Sequence, residues 1–251
     1  MNPTDTAASA KLVAIVTGGA SGIGAHTVAL LRERGIEAVI LDRDISNAPD
    51  GIPAYVCDVT DDAGVKGAVD AVAERFGRLD IVINNAGIGA LGDITANDMD
   101  EWRRLFDVNV LSIARVSTAA LRYLRKSPSA VIINTNSIVT VVGVKNRALY
   151  AATKGAVAAL TLAMAADHLD DHIRVNAVAP GTTDTPWVGR LLDSADDPAA
   201  AAEALRLRQP IGRLVSPAEV AFAIAYLASP EAGSTTGLVM LVDGGMGSLR
   251  V

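Results

Sequence analysis

Tyr150 and Lys154 stand four residues apart in a segment of helical period, so both project from one helix face with the ammonium beside the phenol. A phenol, with a reference pKa of about 10, is a poor base at neutral pH, and a fixed cation beside it stabilises the phenolate. Tyrosine with lysine is thereby equipped for acid–base work. Such pairs occur by chance on many helix surfaces; this one gains meaning from its companions. Ser137 lies just beyond a β-branched run, and Arg147 precedes Tyr150 by one helical turn, on what reads as the same face. A guanidinium there can hold a carboxylate through two parallel hydrogen bonds. Far upstream, Thr17-Gly18-Gly19-Ala20-Ser21-Gly22-Ile23-Gly24 spaces Gly18, Gly22 and Gly24 as G-x-x-x-G-x-G between a strand and a helix. Glycine permits the positive φ and close backbone approach of so tight a turn, and the exposed N–H groups from Ser21 to Gly24 suit a pyrophosphate.

Asp42 ends the next apolar run, 18 residues past Gly24 (42 − 24 = 18), close to the ~20 typical of a carboxylate that holds an adenosine ribose. That carboxylate repels a 2′-phosphate. Arg43 follows and offers the opposite charge, but Ser21 supplies no second cation, so NAD is expected in preference to NADP. Asp58, with Val59 after it, is placed either to accept from an adenine amino group or to cap a strand end. Asn84-Asn85-Ala86-Gly87 closes another apolar run on the edge where open sheets bind ligands.

These residues need elements to carry them. Short β-branched runs at Leu12–Thr17, Ala38–Leu41, Ala54–Cys57, Asp80–Asn84, Ala130–Asn134, Arg174–Val178 and Leu238–Val242 alternate with longer segments of helical period. Parallel neighbours need right-handed crossovers, so the pattern implies an α/β, doubly wound layout: a seven-stranded parallel sheet with helices on both faces. Gly35 marks the stop of the first helix. Ser216, Pro217 and Glu219 form a capping box that starts the last one. One domain is expected over 11–251, with a loosely specified candidate lid over 182–210 and a loose arm over 1–10.

The chain has 251 residues, half of them apolar, and 22 basic against 28 acidic side chains for a net charge of −6. Such a surface does not attract nucleic acid or anionic lipid. The single cysteine, Cys57, excludes an intrachain disulfide and fits a reducing compartment. His26 stands apart, and His168 with His172, four apart on an expected helix without an intervening glutamate, reads as a solvated helix end; no metal is expected. The longest apolar stretch, Gly155 to Ala166, falls short of the ~20 residues that cross a bilayer, and no basic leader precedes an apolar run. A cytoplasmic protein is expected.

Taken together, the glycine turn, Asn84 to Gly87, Asn109, Ser137, Tyr150 with Lys154, Pro180-Gly181 and the closing Val242-Asp243-Gly244-Gly245 resemble the classical short-chain dehydrogenases/reductases, in order and across nearly the whole chain. The resemblance implies a Rossmann fold and an enzyme that moves a hydride between NAD and a secondary alcohol or ketone. It implies that Tyr150 exchanges the proton with the substrate oxygen, that Ser137 hydrogen-bonds that oxygen, and that Lys154 also holds the nicotinamide ribose. Asn109 would carry a water connecting Lys154 to solvent. Asn85, Ala86 and Gly87 would line the cofactor, and Pro180, Gly181, Thr183 and Thr185 would hold the nicotinamide carboxamide. The segment Asn134-Thr135-Asn136-Ser137 departs from the usual Ser-Ser by placing Asn136 beside the site. The chain looks like the branch that contains cytosolic-type 3-hydroxybutyrate dehydrogenase and 2-keto-3-deoxy-L-fuconate dehydrogenase, which handle small hydroxy or keto acids. There, arginines at the places of Arg147 and Arg208 bind the acid group; Arg190 lies close to a third such place but out of register. Trp187 has two readings, closing over the substrate or pinning the lid. The family also pairs the faces of Trp102–Leu124 and Leu149–Leu169 into dimers and tetramers. Two rivals stand beside this reading: an NADPH-linked 3-oxoacyl-carrier-protein reductase, opposed by Asp42, and a dinucleotide-binding redox sensor, which has no need of the full catalytic set.

Overall fold

Apolar residues form unbroken runs along the central strands because each is covered on both sides, while the two edge strands are partly exposed. In β1 (Val13–Thr17), Val13 and Ile15 enter one core cluster while Ala14 and Val16 enter another, as the period-two geometry of a strand requires. The computed structural model describes residues 11–193 and 195–250; the arm expected over 1–10 lies outside them. The remaining strands are β2 (Glu37–Asp42), β3 (Ala54–Val56), β4 (Ile81–Asn84), β5 (Val131–Thr135), β6 (Arg174–Pro180) and β7 (Val239–Val242). All pairs are parallel, in the order β3-β2-β1-β4-β5-β6-β7. Strand order reverses between β1 and β4, and the crossovers diverging there leave a crevice at the carboxyl ends of the strands. This is the doubly wound Rossmann arrangement that the sequence implies.

Helices α1 (Gly22–Glu33) and α8 (Pro217–Ala228) cover one face of the sheet; α2 (Asp62–Phe76), α4 (Ser112–Leu124) and α5 (Ala148–Asp167) cover the other. Each fully buried aliphatic side chain, such as Ile15, Ile40 or Ile83, contributes about 1.5–3 kcal/mol by leaving water. The capping box is formed: the Ser216 hydroxyl accepts from Ala218 N at 3.1 Å and Glu219 accepts from Ser216 N at 2.8 Å. Gly35, at φ 81°, ends α1.

Three elements differ from expectation. Between α3 (Met99–Phe106) and α4, residues Asp107–Leu111 are wound as a π-helix, the wider turn that often marks a functional site. The described residues of the stretch 182–210 are largely helical, forming α6 (Pro186–Asp193) and α7 (Pro198–Leu207), each opening on a proline, with Asp197 capping Ala200 N at 3.0 Å. Helix α5 stops at Asp167, so His168 and His172 lie past its end, and His168 Nδ1 meets Asp171 Oδ2 at 2.9 Å. The 20 residues of α5 are long and apolar enough to cross a bilayer by length and composition. That apolarity serves the core, where Leu149, Val157, Met164 and Ala165 are buried, and the same helix carries Tyr150 and Lys154.

Candidate active site

Backbone builds the first half of the site. Gly18 adopts φ +63°, and a Cβ there would stand 3.0 Å from Ala86 Cα; a Cβ on Gly24 would stand 2.1 Å from the Gly18 carbonyl. No side chain fits either place. Asn85 Nδ2 donates to the carbonyls of Thr17 and Gly18, each at 3.1 Å, while Thr17 Oγ1 accepts from Asn85 N and Ala86 N, each at 3.0 Å. The turn after β1 is thereby fastened to the loop after β4. Asp42 Oδ2 accepts from Ala20 N at 3.1 Å and steadies the turn from β2. Asp58 is a cap through one oxygen, which accepts from Thr60 N at 2.9 Å and Thr60 Oγ1 at 2.7 Å; these bonds hold its carboxyl below the usual range. Between them, burial pushes the Cys57 thiol up to about 11, aided by Asp58, Asp61 and Asp42, so it is no thiolate at neutral pH.

Side chains build the second half. Ser137 leaves the end of β5, accepts from Val139 N at 3.4 Å, and shares a hydrogen bond with the Tyr150 hydroxyl. Lys154 is buried; its Nζ donates to the Thr135 carbonyl at 2.8 Å and stands 5.8 Å from the Tyr150 ring centre. Burial brings its pKa down to about 8. The phenol of Tyr150 is held above its ordinary value by burial, against which the Ser137 hydrogen bond and the charge of Arg147 pull downward. Sequence reasoning gave that charge effect to Lys154. In the structure the Lys154 ammonium stands over the Tyr150 ring while bonded to the Thr135 carbonyl, and Arg147 adds a second cation whose charge acts on the phenol. Asn109, delivered by the π-helical turn, spends its side chain on the chain itself: Oδ1 accepts from Ile88 N at 2.8 Å, and Nδ2 donates to Ile88 O at 2.9 Å and Thr153 Oγ1 at 3.1 Å. Both protons of this amide are thereby spent, while Oδ1 keeps a second lone pair on the side of Gly87 that Lys154 also faces.

Both halves open into one cavity of about 660 Å³. Apart from Gly18, Gly24 and Asn109, which stand behind its wall, every residue expected to touch cofactor or substrate lines it: Ser21, Gly22, Ile23, Asp42, Arg43, Asp58, Val59, Asn85, Ala86, Gly87, Ser137, Arg147, Tyr150, Lys154, Pro180, Gly181, Thr183, Thr185, Trp187 and Arg208. Arg147 reaches it from outside the helix. It is the N-cap of α5, at φ −139°, following Asn146 in the left-handed region at φ +57°. Asparagine tolerates that conformation, and Gly92 clamps it, donating its N–H to Asn146 O at 3.0 Å and accepting from Ala148 N at 3.3 Å. Arg208 arrives from the end of α7, near enough that its charge, after burial, depresses the pKa of Arg147. Arg190 lines the same cavity despite its shifted register. Sequence reasoning missed Val144, Leu205 and Met246 on the wall, since only tertiary packing brings them there. Asn136, the departure from Ser-Ser, also lines the cavity, and both atoms of its amide are buried without a hydrogen-bond partner in the chain.

The comparisons with known proteins agree with this geometry. Residues 18–247 match a family model described as enoyl-(acyl carrier protein) reductase. The chain is 40% identical over 250 residues to a cis-4-hydroxycyclohexanecarboxylate dehydrogenase of Sinomonas cyclohexanicum, covering 95% of this chain and 97% of that protein. It is also 40% identical over 240 residues to the L-fucose dehydrogenase of Bos taurus, covering 93% and 88%. Among solved structures, the ligand-free aldohexose dehydrogenase of Thermoplasma acidophilum superposes with a TM-score of 0.90 at 33% identity, covering 96% of this chain and 95% of that one. Shared fold, shared order of site residues and these identities lead to one conclusion: the chain belongs to the short-chain dehydrogenase/reductase family and is an NAD(P)-dependent oxidoreductase acting on CH–OH groups.

Proposed function

We propose that this enzyme interconverts a small hydroxy acid, or a sugar-derived acid, with its keto form, using NAD. One observation carries the substrate class. Arg147 and Arg208 line the cavity beside Tyr150 and Ser137 and lack a carboxylate partner among the described residues. Two guanidinium groups that disfavour each other's charge are held together at a cost that a bound carboxylate repays. The relative from Sinomonas acts, by its name, on a ring hydroxy acid, and the bovine relative on a sugar.

The cofactor side fits a dinucleotide. Gly18 and Gly24 leave a cradle that any Cβ would fill, the N–H groups opening α1 face it, and the Asp42 carboxylate lies where ribose hydroxyls would be held. That carboxylate favours NAD over NADP and counts against the carrier-protein reductase alternative. Ser21 to Gly24 would hold the pyrophosphate, Asp58 and Val59 the adenine, Asn85 to Gly87 and Lys154 the nicotinamide ribose, and Pro180, Gly181, Thr183 and Thr185 the carboxamide. When bound, the nicotinamide supplies the acceptor or donor of hydride.

In oxidation, Tyr150 as phenolate takes the hydroxyl proton of the substrate; in reduction, the neutral phenol returns it to the carbonyl oxygen. Ser137 fixes that oxygen through its hydroxyl. Arg147 has two tasks: gripping the substrate carboxylate and, by its charge, easing ionisation of Tyr150. Lys154, anchored on Thr135 O, holds a proton at Nζ with a pKa near neutrality, suited to passing it onward.

Assembly into homo-oligomers through α4 and α5 completes the proposal. Leu162 is exposed on α5, with Leu111 exposed just before α4 and Leu169 just past α5, whereas Trp102 and Phe106, expected on the same face, stack on each other at 6.3 Å and pack inward against Ala90, Leu105 and Leu149. The lone buried Cys57 suits a cytoplasmic setting. The test is turnover on a panel of small hydroxy acids, their methyl esters, sugars and secondary alcohols with each dinucleotide. Preference for the free acids with NAD is expected; activity confined to uncharged substrates overturns the carboxylate reading.

A further inference from the structure

A second recess, of about 500 Å³, adjoins the reaction cavity. The two share Gly89, Trp187, Arg190 and Leu191, so the Trp187 side chain stands where they meet. Its indole rests on the main chain of the loop after β4. A Cβ added to Gly89 would lie 2.3 Å from Cζ2 and 2.9 Å from Cε2, so glycine is the one residue that gives the ring this seat. The recess beyond is not featureless. Asn97 is 9% exposed; its Nδ2 donates to Leu91 O at 3.0 Å and Glu101 Oε2 at 2.8 Å, while its Oδ1 is buried without a partner. Arg190, on the same wall, has no carboxylate partner among the described residues.

We propose that Trp187, seated on Gly89, is a specificity-determining partition that limits the length of the substrate, and that the recess it closes off is a compartment for the distal end of longer hydroxy or keto acids. The recess has an apolar wall from the indole, Leu191, Ala90 and Leu91, and two charged groups, the Glu101 carboxylate, which accepts from Asn97 Nδ2, and the Arg190 guanidinium. It therefore takes an alkyl or ring segment ending in a hydroxyl, which can donate to the one and accept from the other. Both readings of Trp187 then hold at once: it pins α6 to the loop after β4, and by doing so it closes the cavity. The inference rests on the hydride-transfer site described above and is independent of how the acid end is gripped.

The experiment measures kcat/KM across straight-chain hydroxy acids of increasing length, with their neutral methyl esters in parallel, for the wild type, Trp187→Ala, Trp187→Phe and Gly89→Ala. Single methylene groups in apolar pockets change specificity by ~10-fold or more, so Trp187→Ala is expected to raise the long-to-short ratio by at least about tenfold. Gly89→Ala unseats the same ring from the opposite side and raises the ratio in the same direction; Trp187→Phe keeps it near the wild-type value. A readout without turnover accompanies these. In a Trp102→Phe background Trp187 is the sole indole, and its emission shifts to the red when Gly89→Ala displaces it toward water. An unchanged ratio in Trp187→Ala, or an unmoved emission in Gly89→Ala, overturns the partition. Preference for esters at every length would sink the carboxylate reading alone, because the length ratio is read within each series.

Discussion

The turn after β1 and the candidate lid over 182–210 both wall the cavity at the carboxyl edge of the sheet, with different materials. The turn works with main chain: N–H groups at the start of α1, glycines where no Cβ fits, and the amide of Asn85 fastening it to its neighbour. The lid works with side chains, Trp187, Arg190 and Arg208, borne on two short helices and completed by Arg147 from a third segment. A backbone cradle tolerates few residue types, so it leaves a fixed pattern in the sequence. A side-chain grip depends on how separate elements approach each other, and its pattern is free to drift with the ligand.

Four substitutions probe that contrast. The largest effect is expected at the junction: Tyr150→Phe should lower kcat/KM by ~10² to 10⁴, the usual worth of positioned proton transfer, while dinucleotide titration shows unchanged affinity. Wild-type turnover would remove the phenol from its role. Next, Lys154→Met should lower activity by less than Tyr150→Phe yet stabilise the fold at pH 7 by up to about 3 kcal/mol, the equivalent of the drop from 10.5 to about 8. The sign follows from proton binding. Between pH 8 and 10.5 the unfolded chain binds the proton that the folded one releases, so wild-type stability rises across that window and the variant's advantage shrinks. Denaturant melts at pH 7 and pH 10 check it.

On the lid side, Arg147→Met should cost ~10- to 150-fold on acid substrates, from lost charged hydrogen bonds of about 1.5–3 kcal/mol. It should also move the alkaline limb of alcohol oxidation to higher pH, because a departing cation raises the Tyr150 pKa. A pH profile on a neutral alcohol separates the second effect from the first. The smallest effect is expected in the turn: Asp42→Ser should shift the NADP/NAD preference by about tenfold, ~1.4 kcal/mol, with the Ser hydroxyl still able to accept from Ala20 N. If Asp42→Ser outweighed Arg147→Met on every substrate, the contrast drawn between backbone and side-chain halves would be reversed.

Legibility in the sequence follows the same division. The central strands were readable because burial on both faces writes continuous apolar runs, and the start of α8 because a capping side chain and proline announce it; the same signal at Asp197 and Pro198 went unread at the start of α7. The π-helical turn that delivers Asn109 left no trace, since one widened turn barely disturbs apolar periodicity. Arg147 was read on the face of the helix and stands instead at its N-cap. An N-cap and a first-turn residue share the same spacing to Tyr150, and only the left-handed Asn146 separates the two. The i,i+4 spacing did bring Lys154 to the Tyr150 ring, but the Thr135 carbonyl that takes its ammonium, and the second cation at Arg147, depend on other segments and were not legible.

The clasp between Gly92 and the residues flanking Arg147 ties two distant jobs to one strap of chain. The short loop that seats the indole at Gly89 is the same one that, three residues on, bonds to Asn146 and Ala148 and so aims the guanidinium. Lengthening or shortening that strap would loosen both grips in a single step, whereas α7 carries neither. Variation in substrate among kindred enzymes should therefore accumulate in the lid, with the strap holding its length.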